Sequence, residues 1–138
     1  MTVLPPKTQD EEHLRLLSIF HYVVAGLAAL FALIPIFHLI LGLIIALSPQ
    51  TLDSHGHLPP PIFGWLFVAF ALVFIILGWV FAGFVFVTGR FLAKRKYYMF
   101  CLVMAGIECM FMPFGTVLGV FTIVVLIRDP VRQMFGTT

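Results

Sequence analysis

Three apolar runs, Ile19–Leu47, Pro61–Thr88 and Tyr97–Ile127, fill most of this 138-residue chain. A helix that crosses a bilayer needs about 20 consecutive apolar residues, and each run is longer than that. Within them the only Asp, Glu, Lys or Arg is Glu108. The chain is 62% hydrophobic and 10% charged, with a mean hydropathy of +1.11. A soluble domain is about 45–50% apolar and about 25% charged, and a small one keeps too large a surface to hide such an excess. These features predict an all-α integral membrane protein, one compact bundle with the lipid bilayer as its surroundings. A net charge of +2 gives no basis for nucleic-acid binding.

The positions of the basic residues predict how the chain is threaded. The N-terminal segment carries Lys7 and Arg15, the stretch Gly89–Lys96 carries four more, and the C-terminal segment carries Arg128 and Arg132. The polar, turn-forming stretch Ser48–Pro60 has none. Cytoplasmic loops carry the excess of Lys and Arg, so both termini and Gly89–Lys96 are expected on the cytoplasmic side. That threading needs the third run to cross twice, turning at Met112-Pro-Phe-Gly115 near the outer surface. The expected spans are residues 17–47, 61–88, 97–112 and 114–128, giving four transmembrane helices. The last two are short, with rises of roughly 21–24 Å, and a single kinked helix over 97–127 is the alternative. The first helix is expected to open near Gln9, because Thr8-Gln-Asp-Glu11 matches a capping box, and to kink at Pro35. Pro61 suits the first turn of the second. Tyr22, Trp65, Tyr97 and Tyr98 fall at expected interface positions.

The ending FMPFGTVLGVFTIVVLI carries Pro113, Gly115, Thr116, Leu118 and Gly119 in order, then Phe121. It resembles the P-x-G-T-x-L-G-x-aromatic ending of small bacterial four-span membrane proteins of unknown function. The stretch LRLLSIFHYVVAGLAALFALIPIFHLILGL resembles their beginning. The resemblance covers about half the chain and implies a four-helix topology in a bacterial inner membrane. It implies no activity.

Several residue sets could carry a function. Phe63, Phe67, Phe70, Phe74, Phe81 and Phe84 follow a 4, 3, 4, 3 spacing with Leu77 in the gap, a heptad seam suited to packing on another helix or to a flat hydrophobic ligand. Gly78-x-x-x-Ala82 and Gly115-x-x-x-Gly119 let helix backbones approach closely, within the chain or toward a second protomer. Glu108 is the polar residue that costs most at bilayer depth. With the turn at the outer surface it falls level with His38, and the two could pair or serve a proton or cation path. Otherwise the acid is neutral or caps the Pro113 turn. Cys109, Met110, Met112, His55 and His57 are ligand types that Cu(I) selects, but their spacing matches no metal motif. His21 and His38 lie on one helix, and a bis-His haem needs facing helices. Cys101 and Cys109 are too far apart along one helix to bridge. No catalytic motif or paired carboxylate is present, and neither cofactor nor metal is expected. The expected function is a non-catalytic structural or accessory membrane subunit, self-associating or joined to a larger complex. A small channel or transporter using Glu108 and His38, and a hydrophobic-ligand binder, are the alternatives.

Overall fold

The computed structural model describes residues 9–48, 60–111 and 113–136, and these are helical apart from short turns. The helices are α1 (Gln9–Phe31), α2 (Ile36–Leu47), α3 (Pro61–Lys94), α4 (Tyr98–Glu108), α5 (Phe114–Leu126) and α6 (Asp129–Met134). Two stretches, Gln9–Leu47 and Pro61–Lys94, are long and apolar enough to cross a membrane.

Each boundary has a local cause. The described part of α1 begins at Gln9 and carries Asp10, Glu11 and Glu12 in its first turn, where the positive end of the helix dipole favours acids. It breaks before Pro35, which has no N–H to give. Leu33 N and Ile34 N donate instead to the carbonyls three residues back, Leu30 and Phe31, and α2 resumes at Ile36. Pro61 is the first residue of α3, where a missing N–H costs nothing. α3 continues past the expected limit near Thr88 to Lys94, because Leu92 is still buried against the core and Arg90 and Lys94 are helix formers that need no apolar cover. Arg95 (φ 54) and Tyr97 (φ 57) then turn the chain in left-handed conformations.

The chain forms two compact units, one of residues 27–81 and one of the flanking segments up to 26 and from 82. In the first, α2 and the opening turns of α3 pack backbone to backbone. A Cβ on Gly42 would lie 2.9 Å from the Gly64 carbonyl oxygen, and a Cβ on Gly78 would lie 2.6 Å from the Ala32 Cβ. The contact stripe on α3 is Gly64, Val68, Ala71 and Gly78. It sits one residue on from the phenylalanine seam, and small side chains hold it because only they allow this approach.

In the second unit, α1 runs antiparallel to α3: Glu11 meets Arg95, Ser18 meets Gly89, and Tyr22 stacks near Phe86. Residues 97–127 form a hairpin, not one kinked helix. Gly115 lies under the Glu108 carbonyl, Gly119 under that of Ala105, and the Tyr98 hydroxyl donates to Leu126 O at 3.2 Å. The core holds Leu14, Leu17, Leu92, Cys101, Leu118, Val125, Leu126, Val131 and Phe135, with α6 contributing through Val131. The first turn of α1, the last turns of α3 and α5, and the first of α4 therefore share one end. All the described basic residues lie toward that end, and two acids of α1 clamp it: Asp10 to Arg128 at 3.3 Å and Glu11 to Arg95 at 2.8 Å.

Candidate functional site

Five polar residues are buried among the described ones: Ser18 and His21 on α1, Thr88 on α3, Glu108 on α4 and Thr122 on α5. Three of them are hydroxyls satisfied by backbone. Ser18 donates to Gly89 O at 2.7 Å, Thr88 to Phe84 O at 2.8 Å, and Thr122 to Leu118 O at 2.7 Å. His21 and Glu108 remain, and they face each other.

Both side chains are fully buried, with His21 Nε2 at 3.2 Å from Glu108 Oε2. The distance is that of an ion pair, yet the angles fall short of a hydrogen bond, and His21 Nε2 and both carboxyl oxygens of Glu108 have no hydrogen-bond partner. The other ring nitrogen, Nδ1, lies 2.8 Å from Leu17 O. A backbone carbonyl only accepts, so Nδ1 carries the hydrogen. Nε2 is then left to Glu108.

His38 was one possible partner of Glu108 in the sequence, and the structure sets His21 against it instead. The reason is reach. α4 has 11 residues and α5 has 13, rises of about 16 and 20 Å. The tip therefore arrives at the level of His21, three turns into α1. His38 is exposed on α2, in the other unit, with its ring stacked on Phe67 (centroids 6.4 Å apart, planes 8° apart).

The turn that presents Glu108 explains the P-x-G-T-x-L-G order. Thr116 Oγ1 donates to Cys109 O at 2.9 Å, and Thr116 N donates to Phe111 O at 3.2 Å. Phe111 N returns to Glu108 O at 2.9 Å. Pro113 precedes α5 without needing a partner for nitrogen. Gly115 and Gly119 leave no room for a Cβ: on Gly115 it would lie 2.5 Å from Glu108 O, and on Gly119 it would strike Ala105 O and Cys109 Sγ. The residues at the tip are apolar and open, with Met110, Phe111 and Phe114 exposed.

The remaining candidates fall elsewhere. Phe63, Phe67, Phe70, Phe74 and Phe84 are 39–59% exposed, and Phe70 and Phe74 touch each other with centroids 4.4 Å apart. Phe81 is half-buried. Ala82 is buried, in line with Gly78 on the small-residue stripe of α3. His55, His57 and Met112 lie outside the described residues, and Cys109 is half-buried. Ser18 and Gly89 escaped sequence reasoning. Their signal was a serine one turn before His21, on the face of α1 that also carries Leu14 and Leu17.

No family model, curated protein or solved structure matches this chain.

Proposed function

We propose that the chain is a multi-pass membrane protein, with both termini cytoplasmic, that serves as a non-catalytic structural or accessory subunit. It self-associates or joins a larger membrane complex, and the resemblance noted above points to a bacterial inner membrane. The observation that carries this reading is the division of labour on α3. The small-residue stripe is consumed by packing inside the chain, whereas the heptad-spaced phenylalanines beside it stay outside. Seams of that spacing fit knobs-into-holes contact with a further helix.

The threading reading is supported by the gathering of Arg15, Arg90, Lys94, Arg95, Lys96, Arg128 and Arg132 toward one end, the end the positive-inside rule assigns to the cytoplasm. Gln9–Leu47 and Pro61–Lys94 then cross fully. The α4–α5 hairpin is shorter than the roughly 30 Å hydrocarbon core, and its tip is apolar, with the N–H groups of Cys109, Met110, Phe111, Thr116 and Val117 bonded within the hairpin, which suits depth in lipid. It dips into the bilayer and returns to the same side, a shallower path than two complete crossings.

Association is tested by reconstitution at decreasing protein-to-lipid ratio with single-molecule photobleaching. The wild-type chain should form complexes, and Phe67→Ala/Phe70→Ala/Phe74→Ala should weaken them. A chain that is monomeric at every density, and that leaves its host membrane in mild detergent as a lone monomer, would overturn the reading.

A further inference from the structure

We propose that His21 and Glu108 form a buried proton-binding site that holds one exchangeable proton between Nε2 and Oε2, reached from the basic end of the bundle. The argument begins with hydrogen-bond bookkeeping. Because Leu17 O commits Nδ1 to its hydrogen, the ring can meet the carboxyl only through Nε2, 3.2 Å away. With a proton between them the contact is either carboxylic acid to imidazole or imidazolium to carboxylate. Both forms contain the same atoms and the same net charge of zero. Without it, a carboxylate faces a nitrogen lone pair in an interior that offers neither group another partner. Unpaired polar groups in such a setting cost several kcal/mol, so the site is built around that proton.

The surroundings supply no competing donor. α1 adds Ser18, α3 adds Thr88 and α5 adds Thr122, whose hydroxyls are already given to backbone carbonyls. The titratable groups beside the pair include Tyr22 on α1, whose ring also lies against Gly89, and Cys101 and Cys109 on α4. No Lys or Arg is among the buried residues described.

A cleft leads to within one helical turn of the site. With a volume of about 320 Å³, it opens at the charged end between α1 and the last turns of α3, with Glu11, Glu12, Arg15 and Arg95 at its mouth. Ser18, which is 4% exposed, is the polar lining residue farthest along α1. His21 follows one helical turn later, and Gly89 touches both: a Cβ there would sit 3.0 Å from His21 Cβ and 3.2 Å from Ser18 O. The proton enters from water in this cleft and leaves by the same way. An N–H or O–H bond forms and breaks, and nothing else is consumed.

The test uses the full chain in lipid nanodiscs with isotope-labelled histidine. Ring-nitrogen NMR and the infrared carboxyl band are followed from acid to alkaline pH, and His21→Gln assigns the His21 signals. In the wild type, Nδ1 should stay hydrogen-bearing throughout. Nε2 and the Glu108 carboxyl should respond together in a single one-proton step. Glu108→Gln should abolish the His21 response, and His21→Gln the carboxyl response. Two separate steps, or signals that stay flat across the range, would overturn the proposal without any variant having to fold. Ser18→Leu, which fills the inner cleft, should slow deuterium exchange of the shared proton. Unchanged exchange would overturn the route.

Discussion

Glu11 in the first turn of α1 and Arg95 just beyond α3 meet at 2.8 Å across 84 residues of chain. Arg95 adopts a left-handed conformation, φ 54, that disfavours any residue with a Cβ by about 1–2 kcal/mol. Both side chains are partly exposed, and an exposed ion pair contributes only about 0–1 kcal/mol. The first equals or exceeds the second. Arg95→Gly should be neutral to stabilising by about 1 kcal/mol in the wild-type background, and stabilising by about 1–2 kcal/mol once Glu11→Gln has removed the pair. Thermal unfolding in one detergent, with all four variants compared, checks this.

The glycines separate into two kinds. Gly115 and Gly119 lie where a Cβ would enter backbone of α4, whereas nothing lies within 4 Å of a Cβ on Gly106. Overpacking of this sort costs about 1–3 kcal/mol. Gly119→Ala and Gly115→Ala should each lose stability in that range. Gly106→Ala, at an exposed position inside α4, should be neutral or gain up to about 1 kcal/mol from helix propensity. Equal effects at all three positions would mean that the hairpin is not packed as described.

Thr116 acts through its hydroxyl, which donates to Cys109 O at 2.9 Å. Thr116→Val keeps the shape and deletes the bond, so it should cost about 1 kcal/mol, and Thr116→Ser should recover most of it. The same unfolding measurement decides between them.

The depth of the hairpin is open to labelling. In a Cys109→Ser background, Met110→Cys should stay unmodified by a membrane-impermeant maleimide added to either side of sealed vesicles. Arg128→Cys should be modified from the cytoplasmic side alone. Labelling of Met110→Cys from the outer side would show that the arms cross completely.

Much of this architecture was legible in the residues, for identifiable reasons. The helix start at Pro61, the break at Pro35 and the turn at Pro113 follow from local chemistry of prolines and missing N–H groups, while Thr8, the expected cap of α1, lies outside the described residues. The hairpin followed from charge. The sequence left Glu108 open to a pair with His38, to a neutral state or to capping the Pro113 turn, and did not single out His21. Arm lengths of 11 and 13 residues place Glu108 against His21, and helix ends are the quantities a sequence defines least sharply. On α3 the smaller Gly64, Val68, Ala71 and Gly78, one residue on from the phenylalanine seam, take the contact inside the chain, because only small side chains allow so close an approach. The left-handed turn at Arg95 and Tyr97 left no signal, since neither is a glycine.

The pairing of His21 with Glu108 is the claim on which the site rests, and a double-mutant cycle in detergent tests it most directly. His21→Ala, Glu108→Ala and the double variant are compared by reversible unfolding, with a parallel cycle through His38→Ala. Residues in contact show coupling of about 0.5–3 kcal/mol. The account predicts coupling in that range between Glu108 and His21 and none between Glu108 and His38. Additive effects at His21 and Glu108, or coupling that runs through His38 instead, would contradict it.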